Sequence, residues 1–147
     1  MPPADTFEYD VFISYRHLEP DRSWVRRELV PRLDEAGLRV CIDVRSFRLG
    51  HPIVTEMGRA IEESRYTVAV LTPAFTQSGF TEFETVLAEH LGLEERRNRF
   101  LIIRRGEPEE RLSMRARLQL DMTDDTKFDA NVSRLIEALR QPPADWH

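Results

Sequence analysis

Tyr9-Asp-Val-Phe-Ile-Ser14 is short, rich in β-branched and aromatic side chains, and apolar at consecutive positions instead of at every second one. That is the pattern of a strand covered on both faces, as in a parallel sheet. Leu38-Arg-Val-Cys-Ile42, Thr67-Val-Ala-Val-Leu71 and Phe100-Leu-Ile-Ile103 share it, and a fifth, weaker strand is expected near Leu118 to Met122. Between these runs apolar side chains recur at helical spacing. Trp24, Val25, Leu29 and Leu33 mark one helix, and Ile53, Met57, Ala60 and Ile61 a second. Phe80, Phe83, Val86, Leu87 and Leu91 mark a third, and Phe128, Val132, Leu135, Ile136 and Leu139 the last. Gly37 stands where a glycine ends the first helix. Strands alternating with helices give an α/β fold, a doubly wound five-stranded parallel sheet with helices on both faces. In such folds ligands bind beyond the carboxyl ends of the strands, where strand order reverses. The segments to inspect are therefore Ser14 to His17, Asp43 to Gly50, Thr72 to Glu84 and Arg104 to Gly106.

With 147 residues the chain fits one domain, able to bury roughly 70% of its unfolded surface. Its organisation reads as an N-terminal arm over 1–6, a folded domain over 7–140 and a tail over 141–147, where Pro142-Pro143 stop the last helix. No apolar run approaches the roughly 18 residues that span a bilayer, so no membrane partner is expected. Met1 to Asp10 carries no basic leader or apolar stretch, and Cys41, the single cysteine, has no partner for an intrachain disulfide. The expected compartment is the cytoplasm. A net charge of −5, with the doublets Arg26-Arg27, Arg96-Arg97 and Arg104-Arg105 set among acids, argues against nucleic acid as a partner. These doublets read as solvated helix faces and element ends. Lys127 is the only lysine, a bias pointing to a GC-rich bacterial genome.

Several chemistries are missing. The glycines at 37, 50, 58, 79, 92 and 106 form neither a dinucleotide-binding nor a P-loop string, and there is no nucleophile elbow. His17, His51, His90 and His147 are scattered without ligand spacing, so no metal is expected. A phosphate-accepting receiver domain would need acids after the first strand and an aspartate after the third. Ser14-Tyr15-Arg16 and Thr72-Pro73 stand there instead.

Tyr9-Asp-Val-Phe-Ile-Ser-Tyr-Arg16 resembles the first conserved box of Toll/interleukin-1 receptor (TIR) domains, and further segments follow in register. Cys41-Ile-Asp-Val-Arg-Ser-Phe-Arg-Leu-Gly50 resembles the second strand end and the BB loop, and Glu63 through Pro73 the third strand with its Thr-Pro ending. Ser78-Gly-Phe-Thr-Glu-Phe-Glu84 is similar to the S-x-W-C-x-x-E string of NAD-cleaving TIR domains, such as those of bacterial defence proteins. The resemblance implies a flavodoxin-like sheet and a catalytic role for Glu84. It also implies substrate contacts at Tyr15, Arg16, Asp43, Phe47 and Phe80, and assembly with other TIR domains through Arg45, Phe47, Arg48, Leu49 and Gly50 of the BB loop. NAD would be the substrate, with no resident cofactor. A sensor domain in a longer parent protein is a further expected partner. The sequence departs from the pattern at Phe80, where tryptophan is usual, at Thr81, where cysteine is usual, and at Leu49, where many receptors have proline.

The implied chemistry suits these residue types. Nicotinamide leaves a cationic pyridinium as a neutral molecule, so no general acid is needed and one carboxylate suffices, unlike ordinary glycosides. Glu84 would stabilise the oxocarbenium-like ribosyl transition state, Phe80 or Tyr15 would stack on the base, and Arg16 would meet the pyrophosphate. Each has a plainer reading. Thr81-x-x-Glu84 is also a capping box, and the pattern alone favours the cap. Asp43 reads equally as a loop anchor, Phe47 and Phe80 as packing residues, and Arg16 as a solvated strand end. An NAD glycohydrolase, or a cyclase using the same cation, is the first expected function. A non-enzymatic TIR adaptor is the second.

Overall fold

The computed structural model describes residues 7–78, 80–108 and 119–143. The expected arm over 1–6, residues 144–147 of the expected tail, and Leu118 of the expected fifth strand lie outside the described residues. β1 (Tyr9–Ser14) leads into α1 (Asp21–Ser23), a π-helical segment (Trp24–Leu29) and α2 (Val30–Glu35), which run on as one helical element. β2 (Val40–Cys41), α3 (Asp43–Ser46), α4 (Ile53–Glu63) and β3 (Ser64–Leu71) follow. Then come α5 (Pro73–Gln77), α6 (Phe80–His90), α7 (Leu93–Arg99), β4 (Phe100–Arg104), β5 (Leu120–Asp121) and α8 (Phe128–Arg140).

The strands form one sheet in the order β2-β1-β3-β4-β5 with every pairing parallel, the flavodoxin-like arrangement expected. Alternation along each strand divides the apolar residues between two cores. Val11, Ile13, Tyr66, Val68 and Val70 pack with Val25, Leu29, Leu33, Val132 and Leu135 on one face. Phe12, Ala69, Leu71 and Ile102 pack with Ala60, Ile61, Phe80, Phe83 and Leu87 on the other. The chain leaves β1 toward β2 and returns on β1's other side as β3, so strand order reverses at the carboxyl ends of β1 and β3.

Local chemistry accounts for the boundaries. Gly37, at φ +83°, ends α2: its N–H reaches the Asp34 carbonyl at 2.9 Å, and that of Leu38 reaches Leu33 at 3.2 Å. These are the two bonds of a Schellman cap, which require a left-handed residue. β2 is shorter than the expected 38–42, because the Arg39 N–H goes to the Asp10 carboxylate at 2.7 Å and the Ile42 N–H to Ser46 Oγ at 3.3 Å. β3 starts earlier than expected, at Ser64. The helices α3, α5 and α7 were not expected. α5 had a legible signal: Thr72 caps it by accepting from the Phe75 N–H, and Pro73 occupies the first turn. The sequence resemblance makes Thr72-Pro73 only a strand ending. Among the described residues no helix is long and apolar enough to cross a membrane.

Candidate active site at the strand switch point

A cavity of about 210 Å³ opens at the carboxyl ends of β1 and β3. Residues 12–18, Asp43, Phe47, Met57, Phe75, Ser78 and Phe83 line it. Tyr15, Arg16, Asp43 and Phe47 are thus brought together as the sequence implied. Glu84 and Phe80 are not among these lining residues. A larger hollow of about 630 Å³ lies between Trp24 and Asp129 and contains none of the candidate site residues.

Tyr15 is only 4% exposed. Its hydroxyl donates to Asp43 Oδ1 at 2.6 Å and accepts from Arg26 Nε at 2.8 Å, while Arg26 Nη2 stands 3.3 Å from Asp43 Oδ2. Burial, reinforced by the Asp43 carboxylate, pushes the phenol above its ordinary range. Tyr15 is therefore a neutral strut under Asp43 and not the stacking ring expected of it. The Asp43 side chain keeps 17% exposure, and His17 lies over the pair with its ring centroid 4.7 Å from that of Tyr15 and Nε2 3.9 Å from Asp43. Among the described residues Arg16 makes one long contact, Nη1 to the Glu19 carbonyl at 3.4 Å, and no hydrogen bond from Nε. A guanidinium so weakly engaged retains most of its donors for an anion.

Phe80 is corrected likewise. It is 1% exposed and packed edge-on to Phe75 at 5.3 Å and against Phe83 at 5.9 Å. The cause is register: with Phe80 opening α6, residues 80, 83 and 87 form the stripe facing the sheet. Phe75 and Phe83 border the cavity in its place. Thr81 is the second residue of α6 and Glu84 the fifth. Glu84 is half-buried with Oε1 shielded from solvent, directly after Phe83 of the cavity wall.

The BB loop is tied down more than its sequence suggested. Arg48 donates from its backbone N–H at 2.6 Å and from Nη2 at 2.7 Å to Glu56, which is 1% exposed. Arg59 adds a bond to Glu56 at 3.0 Å and one to the Ser46 carbonyl at 3.0 Å. The hydrogen bonds from Arg48, then those from Arg59, hold the Glu56 carboxyl far below the usual carboxylate range. Arg45 pairs with Asp34 at 3.2 Å, and Phe47 turns inward onto Phe12 with ring centroids 6.0 Å apart. Phe47 therefore folds onto its own domain. Leu49 remains 99% exposed, and Gly50 takes φ +82°, a left-handed conformation that suits glycine.

A family model described as TIR domain matches residues 11–136. Toll-like receptor 6 of Bos taurus is 38% identical over 85 residues, 58% of this chain and 10% of that receptor. The NAD(+) hydrolase TirS of Staphylococcus aureus is 35% identical over 80 residues, 54% of this chain and 28% of that protein. The crystal structure of the TIR domain of the Toll-related receptor TRR-2 from Hydra magnipapillata superposes with a TM-score of 0.75 at 25% identity, covering 90% of this chain and 99% of that one. The chain spans about a tenth of the receptor and under a third of the hydrolase.

Proposed function

The chain belongs to the TIR domain family, and we propose that it cleaves the nicotinamide–ribose bond of NAD, with Glu84 as the catalytic carboxylate. The observation that carries this reading is the switch-point cavity itself. It combines aromatic walls from Phe75 and Phe83, a held carboxylate at Asp43 and a weakly engaged guanidinium at Arg16, and its wall continues into the helical turn that bears Glu84. An apolar pocket takes the planar base, and Arg16 meets the pyrophosphate. Glu84 stabilises positive charge developing on the ribose as neutral nicotinamide departs. NAD is the substrate, and no resident cofactor is required. The similarity to a protein named NAD(+) hydrolase supports the same chemistry.

The cavity's 210 Å³ is below the roughly 300–1,000 Å³ usual for drug-sized ligands, so it takes one end of a dinucleotide. A neighbouring TIR domain would complete the site. Leu49, held out on a loop that Glu56 fixes from beneath, is the side chain best placed to meet it. On this reading the domain is an effector of bacterial immunity in the cytoplasm, activated by self-assembly and by a sensor in a longer parent protein. The alternative is a non-enzymatic adaptor, favoured by the similarity to Toll-like receptors. Chromatography of NAD incubated with concentrated protein separates the two: release of nicotinamide supports the enzyme, and intact NAD supports the adaptor.

A further inference from the structure

Arg26 reads in the sequence as half of a solvated doublet, yet it bonds to both members of the Tyr15–Asp43 pair. The π-helical segment explains how. The Val30 N–H bonds to the Val25 carbonyl, five residues back, and the buried pairs Trp24-Val25 and Leu29-Val30 are spaced by the same five residues. This wider turn keeps both pairs in the core, while Arg27 and Glu28 stay in solvent and Arg26 is half-buried toward β1. π-Turns within helices recur at functional sites. Arg26 does not line the cavity, but it contacts two residues that do.

We infer that Arg26 is a positioning residue of the site, setting Asp43 as a fixed acceptor for substrate hydroxyls and keeping it from the other basic side chains of the cavity, Arg16 and His17. An ionised carboxylate accepts about four hydrogen bonds. Tyr15 takes one at Oδ1 and Arg26 one at Oδ2, leaving acceptor capacity for a diol such as a ribose. Without Arg26, the basic side chain that stands beside Asp43 is His17, with Nε2 at 3.9 Å, and Arg16 borders the same cavity. A carboxylate released toward either would cease to be a substrate acceptor and would occupy the donors meant for the pyrophosphate. The loss falls on binding more than on bond cleavage. This rests on the NAD-cleaving reading.

The test is a double-mutant cycle on NAD turnover with Arg26→Ala, Arg26→Lys, Asp43→Asn and the Arg26→Ala/Asp43→Asn pair. Arg26→Ala should raise KM roughly tenfold, the scale of one charge-assisted hydrogen bond, with kcat within about twofold. Arg26→Lys should recover part of the loss, since it restores charge without the planar fork. Once Asp43→Asn is present, Arg26→Ala should add little. Equal losses in both backgrounds, or an unaffected Arg26→Ala enzyme, overturn the inference. If Arg26→Ala does not fold, the cycle is run with Arg26→Lys under the same criterion. Absence of turnover in the wild type would defeat the NAD-cleaving reading separately. The same cycle would then be read as NAD affinity by calorimetry, where additive losses, or no binding to the wild type, overturn the role of Arg26.

Discussion

Glu84 and Arg16 have different jobs on this account, and their variants should fail differently. On the proposed reading Arg16 meets the part of NAD that does not react, so Arg16→Ala should raise KM by about tenfold while changing kcat little. A comparison of NAD with nicotinamide mononucleotide checks this, since equal kinetics on both in the wild type would contradict a pyrophosphate contact. Arg16, Asp43 and Glu84 were nameable because the resemblance supplied them one by one. Arg26 was not, because a basic doublet on an amphipathic helix has the same sequence whether its side chains are solvated or turned toward a buried carboxylate. Only the π-helical turn distinguishes them.

Among the elements, α6 and the BB loop show how packing decides the role of an aromatic side chain. The resemblance makes Phe80 a stacking platform, whereas its place at the head of the apolar stripe of α6 makes it a core residue, 1% exposed. Phe80→Ala should therefore destabilise the fold by about 3–5 kcal/mol, as buried phenylalanine truncations do, measured by denaturant unfolding. A stability near that of the wild type would return Phe80 to the surface of the site. The loop's anchor, Glu56, gives an acid-stability prediction. Its folded pKa lies below the unfolded one, so its contribution is complete above the ordinary carboxylate range and is lost as pH falls toward the folded value. Glu56→Gln should lower the unfolding midpoint at neutral pH and flatten its decline below about pH 4.5, near the ordinary glutamate value. Parallel curves for the two proteins would rule the anchor out. α7 left no readable trace because Leu93-Glu-Glu-Arg-Arg-Asn-Arg99 has no apolar period, whereas the four longer helices declared themselves through theirs.

For the whole molecule, the sheet was legible from consecutive apolar residues, and the position of the site followed from strand order. The partition of the BB loop was not, since no pattern in Phe47-Arg48-Leu49 says which apolar side chain turns inward, and packing against Phe12 separates them. If the site is completed by a neighbour, specific activity should rise steeply with protein concentration, and Leu49→Asp should suppress that rise without lowering the unfolding midpoint. Head-to-tail contacts of this kind can extend into open filaments. Constant turnover per molecule across a wide dilution series would remove assembly from the account. The most direct test of the central claim is chromatography of NAD incubated with equal, high concentrations of the wild type and of Glu84→Gln. The account predicts free nicotinamide and an ADP-ribosyl product from the wild type and intact NAD with the folded variant, whereas no nicotinamide from the wild type, or equal release by both, would contradict it.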